Sequence, residues 1–487
     1  MSIPPEIFVI DPRAGLPLQV QLRQQIIAGV LEGRFRPGER LPSSRVLAGH
    51  LGVARVTVNL AYAELVATNL LAARGREGTF IAEAVDHPPL AEAASGTPAR
   101  FDWTRHLDGR HARAQRRDRA GDWRRFRFPF VYGQADPALV DHAAWRQCAV
   151  QALGRRDFAA LTGDQYGADD PELVEYITRQ ILPRRGIRAR GDEVLLTLGA
   201  QNGLWLAAEI LLGRGGRCAI EDPCYPGLRE ILAQTGAEVC PVAVDAQGLP
   251  PDALPAGLGA VFTTASHQCP TNSTMPLDRR HALLDRAMQQ GFAIIEDDYE
   301  FEMSFSGAAS PALKAIDRAG AVVYIGSFSK SVFPGLRLGY MVADPAFIAE
   351  ARALRAMVLR HPPGHVQRTL SYFLSLGHYD AQMNRMRRAY AERRAIMERA
   401  LAAEGLSLVP GGASGGSSFW LELPEGIDSR DLAQGLRADD VLIEPGPPFF
   451  ARPDQGARHF RLAYSSIEAD LIPEGIRRIA AAIGRAG

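Results

Sequence analysis

The sequence predicts a multi-domain chain: a small winged helix-turn-helix unit, a connecting segment, and a large α/β unit on a mostly parallel sheet. Three observations predict it. Residues 15–81 read as three helices and a glycine-turned hairpin, residues 82–127 keep no period, and from residue 128 short apolar strand-like runs alternate with helical ones. Such alternation makes a sheet covered on both faces. At 487 residues, 46% hydrophobic and 23% charged, the chain has room for two or three domains and is too apolar to be disordered.

In the first unit, "LPLQVQLRQQIIAGVLEG" sets Leu18, Leu22, Ile26 and Val30 four apart, the stripe of one helix. Gly33 and "RPGER" end it. "PSSRVLAGHLG" is a second helix, capped by Ser43 or Ser44 and stopped near Gly52. "VARVTVNLAYAELVATN" is a third, with a predicted apolar face of Val56, Leu60 and Ala63, and Leu65 closing the turn. "LLAARGREGTFIA" reads as strand, turn, strand. Helices joined near Gly52 make a helix-turn-helix, and the hairpin makes its wing. A recognition helix reads bases from its N-terminal end, where Arg55 and Thr57 stand. Arg45 and Arg76 are placed for phosphates or the minor groove, and Gly75 and Gly78 let the wing turn approach a backbone closely. Net charge is zero but uneven. Residues 1–81 carry 9 basic and 6 acidic side chains, residues 82–127 carry 10 and 7, and the remainder 36 and 42. A basic front points to an anionic partner.

Segment 82–127 is expected to be a linker, with Trp103 and Trp123 as points where it can pack. The five cysteines form no CxxC pair, and their odd number argues for reduced, cytoplasmic thiols rather than a disulfide scaffold. The eleven histidines show no ligand spacing, so no metal is expected. "MSIPPEIFVI" lacks the basic start and apolar core of a signal peptide, and no run of 18 apolar residues exists to span a membrane.

In the large unit, strands are predicted at "EVLLTLG", "RCAIED", "GAVFTTA", "FAIIEDD" and "AVVYIGS", and helices at "PELVEYITRQILPRRG" and "AQNGLWLAAEILLG". One choice of residue stands out. Of 55 Lys plus Arg, only Lys314 and Lys330 are lysine. Lys330 sits in "YIGSFSKSVFPGLRLGY". A lysine amine attacks an aldehyde and is displaced by another amine, chemistry closed to arginine. Pyridoxal phosphate requires such a lysine and a carboxylate for its ring nitrogen. Ser327 and Arg337 suit its phosphate, as do the backbone N–H groups of Ala200 and Gln201 where a strand turns at Gly199 into a helix. Asp297 is the choice for the ring nitrogen, with Asp298 its rival, Tyr299 for the phenolic oxygen, and Tyr225 to lie against the ring. All stand at strand C-terminal ends, where open α/β sheets bind ligands.

Two resemblances go further. "LPSSRVLAGHLGVARVTVNLAYAELVATNLLAARGREGTF" resembles the GntR-type winged-helix family. That likeness implies that Arg45, Arg55, Thr57, Asn59, Gly75 and Arg76 touch promoter DNA, and Ala54 departs from the usual Ser or Thr. From about residue 128 the chain resembles the fold-type I aminotransferases. This implies Lys330 as the Schiff-base lysine, Ser327 and Arg337 on the phosphate, Asp297 and Tyr299 on the ring, and Arg461 of "HFRLAYSS" on a substrate carboxylate. In "SHQCPTNST", Cys269 replaces the usual Asn at the phenolic oxygen, with His267 or Gln268 as substitute, and Asn272 replaces a Gly, which φ > 0 would allow. Together the halves resemble MocR-type (GabR-like) regulators. The implied division is 1–81 reader, 82–127 linker and 128–487 cofactor and effector domain. The implied function is aldimine exchange between Lys330-bound pyridoxal phosphate and an amine or amino acid effector that alters promoter binding, in a domain-swapped homodimer. The alternatives are a working aminotransferase and a sensor of pyridoxal phosphate that controls vitamin B6 supply.

Overall fold

The structure is a computed structural model that describes residues 2–12, 14–83, 106–107, 123–213, 215–303, 310–409 and 416–486, without the side chain of Arg76. Most of the expected linker, residues 84–105 and 108–122, lies outside the described residues. The chain divides into two compact units, residues 1–113 and 114–487.

The first unit holds helices α1 (Leu18–Leu31), α2 (Ser44–Leu51) and α3 (Arg55–Ala67), then strands β1 (Leu71–Ala73) and β2 (Thr79–Ile81). Ser43, not Ser44, caps α2 by accepting from the Val46 N–H, and Gly52 ends that helix at φ 66°. Ser44 instead accepts from Arg55 Nε at 3.1 Å, tying the two helix starts together. β1 and β2 pair antiparallel with Leu71 opposite Ile81, and the wing turn passes through Gly75 and Gly78 at φ 49° and 112°. The predicted face of α3 is corrected. Val56 and Leu60 are 61% and 46% exposed, and Ala63 is exposed too. The buried residues are Val58, Ala61, Tyr62 and Leu65, which also recur at helical spacing. α3 carries apolar residues all round, so periodicity did not choose between its faces. Tyr62 fixes the choice by donating to the Pro42 carbonyl at 2.9 Å under α2.

The large unit is built on a seven-stranded sheet. Its strands are β3 (Val194–Thr197), β4 (Arg217–Asp222), β5 (Glu238–Ala243), β6 (Ala260–Thr263), β7 (Ala293–Asp297), β8 (Val322–Ser327) and β9 (Gly339–Val342). They lie in the order β3-β9-β8-β7-β6-β4-β5. Only β9 runs against its neighbours. Successive residues serve opposite cores. Leu195, Ile295, Val323, Ile325 and Met341 pack under helices α4 (Ala200–Leu212) and α5 (Pro226–Thr235), while Val194, Leu196, Tyr324 and Tyr340 pack on the other face. That is why these strands read as continuous apolar runs. The predicted helix at "PELVEYITRQILPRRG" is helical throughout but changes pitch, from α over Pro171–Tyr176 to π over Ile177–Ile181 and 3-10 over Leu182–Arg185. A second, antiparallel sheet of β10 (Ser418–Glu422), β12 (His459–Ala463) and β11 (Glu444–Pro445) sets Arg461 between Trp420 and Glu444. Phe128–Pro129 pairs in parallel with Val441–Leu442, bringing the following residues Tyr132 and Gly133 toward that sheet. No helix among the described residues is long and apolar enough to cross a membrane.

Candidate functional site

The C-terminal ends of β3 and β8 converge because Gly339 of β9 pairs with both Thr197 and Ser327, and β7 ends beside β8 with Asp297 opposite Ile325. A side chain at Gly339 would meet the Gly326 carbonyl oxygen at 2.7 Å and the Gly199 Cα at 3.0 Å, so the two strand ends approach only across a glycine. At this end Gly199, at φ 76°, turns the chain into α4 at Ala200. Asn202 Oδ1 accepts from the Leu198 N–H at 3.1 Å, which shapes that turn. Arg337, itself at φ 51°, is exposed. Its Nη2 lies 3.2 Å from where a Cβ on Gly199 would stand and donates to the Leu198 carbonyl at 3.2 Å. Ser327 closes β8, and its Oγ accepts from Ser329 N–H. A guanidinium, a hydroxyl and a helix N-terminus thus gather at one place, a donor set suited to a phosphate.

Lys330 follows β8. Its Nζ stands 4.0 Å from the centroid of the Tyr132 ring. Gly133, at φ +82°, passes so close that a Cβ would be 2.6 Å from Nζ. Loss of hydration pushes the Lys330 ammonium down to about 8, with Glu300 opposing and Arg461 assisting. Asp297 ends β7, is buried, and keeps its Oδ1 without a hydrogen-bond partner. Burial pushes its carboxyl up to about 7, Asp298 and Glu221 adding to the rise and Lys330 opposing it. Asp298 is differently placed. Its Oδ2 accepts from Arg185 Nε at 2.7 Å and from the Tyr324 hydroxyl at 2.9 Å. Burial works against its charge, yet the Arg185 guanidinium holds its carboxyl below the usual range. Both carboxylates keep an Oδ1 without a partner, but the Oδ2 of Asp298 is engaged by Arg185 and Tyr324 in the scaffold, which leaves Asp297 the freer of the two.

The remaining predicted residues surround this pair. The Tyr299 hydroxyl donates to the His267 carbonyl at 2.9 Å, and its ring meets Tyr132 edge-on at 6.3 Å. Tyr225 caps α5 with its ring folded over Gly227, and it packs with Tyr299 against Cys269, Trp420 and Phe449. Gln268 is fully employed. Its amide donates to the Pro223 and Cys269 carbonyls at 2.7 and 2.8 Å and to Glu221 Oε2 at 3.2 Å, and its oxygen accepts from Thr271 N and Oγ1. His267 is buried with Nδ1 unpartnered. Asn272 sits at φ 60°, the conformation that admits Asn in place of Gly, and its amide donates to the Ser418 carbonyl at 2.7 Å.

Arg461 is buried and enclosed. Its Nε and Nη2 donate to Glu444 Oε2 and Oε1 at 3.0 and 3.1 Å. Its Nη1 lies 3.9 Å from Cys269 Sγ, and its guanidinium stacks on Tyr132 at 4.0 Å and Phe449 at 4.7 Å. Glu444 Oε2 also accepts from the Tyr132 N–H at 3.0 Å. Sequence reasoning missed Tyr132, Gly133, Glu444 and Glu300, whose Oε2 is buried without a partner. The first two carried a signal, an aromatic–glycine pair after an apolar run. Glu444 carried none, since only the β11–β12 pairing sets it against Arg461.

In the first unit, Arg45, Arg55 and Asn59 are exposed and Thr57 partly so, while Ala54 starts α3 with no side-chain cap. Gly75 stands in the wing turn, and the side chain of Arg76 lies outside the described residues.

Residues 18–81 match the family of bacterial regulatory proteins, gntR family, and residues 148–479 match aminotransferase class I and II. The chain is similar to the HTH-type transcriptional regulator TauR of Rhodobacter capsulatus, 57% identical over 483 residues that span 99% of this chain and 100% of the relative. It is similar at 29% identity to the probable rhizopine catabolism regulatory protein MocR of Rhizobium meliloti, over 98% of this chain and 96% of that one. Among solved structures it resembles LysN, the alpha-aminoadipate aminotransferase of Thermus thermophilus complexed with N-(5'-phosphopyridoxyl)-L-leucine. The TM-score is 0.70 at 27% identity, covering 79% of this chain and 99% of that one.

Proposed function

We propose, from the premise that the chain belongs to the MocR-type transcriptional regulators, a GntR-family reader joined to a class I and II aminotransferase domain, that its large unit holds pyridoxal phosphate and senses an amine or amino acid. The observation that carries this reading is Lys330, one of two lysines in the chain, enclosed by Tyr132 and Gly133 at a site where Asp297 keeps an unpartnered oxygen. A buried acceptor without a donor fits a protonated ring nitrogen. When bound, the cofactor supplies an aldehyde that condenses reversibly with amines and a ring that withdraws electrons from the product. The chain supplies the rest. Lys330 offers an amine with a lowered proton affinity. Ser327, Arg337 and the N–H groups of Ala200 and Gln201 hold the phosphate. Asp297 keeps the ring nitrogen protonated, Tyr225 lies against the ring, Tyr299 serves the phenolic oxygen, and His267, with Gln268 engaged, is the remaining candidate to replace the usual Asn there. Arg461 receives the effector's carboxylate.

Effector binding would then shift the balance between arrangements that differ in promoter affinity, read by Arg45, Arg55, Thr57, Asn59, Gly75 and Arg76. We assign residues 1–81 to the reader, 82–127 to a linker and 128–487 to the sensor, acting in the cytoplasm as a domain-swapped homodimer. The apolar Val150, Leu153, Met357 and Val358, which the isolated chain leaves 55–79% exposed, support a second copy, and light scattering of a monomer would remove it. The central test is absorbance: the purified protein turns yellow with pyridoxal phosphate and Lys330→Arg does not. A variant that keeps the colour overturns the assignment. Multi-turnover transamination at about 1–10³ s⁻¹ would make the protein an enzyme instead.

A further inference from the structure

The arginine assigned to the effector's acid is not free to take it. The Nε and Nη2 of Arg461 already form a two-point pair with Glu444, the geometry in which a guanidinium binds a ligand carboxylate. The third nitrogen, Nη1, faces the Cys269 thiol, and the Tyr132 and Phe449 rings both lie against the guanidinium. An incoming acid therefore finds the side edge of the fork occupied by a carboxylate of the protein itself. Glu444 is partly exposed, at 29% of its side chain, whereas Arg461 is at 7%, so the carboxylate is the partner with room to leave. It stands near the reactive amine as well, since its charge is among those acting on Lys330.

We propose that Glu444 is a specificity-determining residue of the effector site, an internal carboxylate that an effector's anionic group must displace from Arg461. This rests on the reading that Arg461 takes the effector's acid. Built this way, the site rejects two classes of amine. An amine without an acid gains nothing from Arg461, because Glu444 already satisfies it. An acid whose reach does not bring two oxygens to the fork cannot compete with a preorganised intramolecular carboxylate. What passes is an amine bearing a bidentate anion at the matching distance from Lys330. Displacement also releases the Tyr132 N–H that Glu444 holds, so occupancy of the fork is felt in the segment against which both Lys330 and Arg461 are stacked.

The experiment uses the full-length protein loaded with pyridoxal phosphate, titrated with glycine and β-alanine against methylamine and ethylamine, and read by the visible absorbance of the cofactor. Glu444→Gln removes the competing charge and leaves Arg461 buried without a counter-ion. The acids should then bind at least about tenfold more tightly than to the wild type, with the simple amines unchanged, a difference of about 1.4 kcal/mol. Glu444→Asp, which keeps the charge on a shorter arm, should fall between. Equal shifts for acids and amines, weaker acid binding, or no response to any acid in Glu444→Gln would overturn the proposal. Arg461→Ala separates the two levels: if it leaves the preference for acids intact in both backgrounds, the underlying reading of Arg461 fails, whatever Glu444 does. Cofactor uptake by each variant, measured first, shows that it has folded.

Discussion

The lowered proton affinity of Lys330 makes a quantitative prediction about how fast the protein takes up its cofactor. Only the neutral amine attacks an aldehyde. With the ammonium titrating at about 8, roughly one chain in eleven is reactive at pH 7, against roughly one in three thousand for a lysine at its ordinary value. The gain is on the order of 300-fold. The assay is stopped-flow absorbance of cofactor-free protein mixed with excess pyridoxal phosphate across the neutral and alkaline range. The rate constant should rise about tenfold per pH unit, break near pH 8 and level off. The sign of each contribution is checked by removing its source. Glu300 opposes the shift, so Glu300→Gln should move the break to lower pH. Arg461 assists it, so Arg461→Ala should move the break upward. A rate that climbs without a break toward the ordinary lysine range, or a Glu300→Gln break displaced upward, would refute the account of how burial and charge set this amine.

Asp297→Asn and Asp298→Asn should differ in kind. The first leaves the fold intact and weakens cofactor retention about tenfold or more by equilibrium dialysis, through loss of the ring's charged partner. The second breaks the buried pair with Arg185 and destabilises the unit by about 3–5 kcal/mol, read as an earlier thermal unfolding transition. Gly133→Ala places a methyl 2.6 Å from Lys330 Nζ at a φ of +82°, and it should abolish the yellow colour while far-UV circular dichroism is unchanged. Arg55→Ala should weaken promoter binding by about 1–3 kcal/mol in gel-shift titrations at fixed salt, with no change in cofactor uptake.

What the sequence revealed and what it hid divide along physical lines. Lys330, Ser327 and Arg337 lie within one turn-rich stretch, and Asp297 closes a strand whose apolar run is unmistakable, so local pattern was enough to gather them. β5 and β9 were not anticipated. β5 is an edge strand with only Val242 buried and a proline within it, so it lacks the continuous apolar run of its neighbours. β9 is four residues long and begins at the glycine that separates two strand ends. The face of α3 was misjudged because Val56 and Leu60 have the spacing of a core stripe and yet point outward, beside Arg55 and Asn59. Glu444 and Tyr132 are separated by 312 residues, and no local signal can announce a contact made at that distance.

The near-absence of lysine acquires another meaning once its two members are located. Lys314 has its amine bound to the Val322 carbonyl at 2.8 Å and near Asp317, so it is occupied by the scaffold. Among lysine side chains, an aldehyde meeting this protein has a single address. Surplus cofactor finds no decoy among the lysines, and a guanidinium does not form the imine. Borohydride trapping after loading with pyridoxal phosphate should accordingly add one cofactor mass at a lysine of each chain, so occupancy of Lys330 can be counted directly by mass spectrometry.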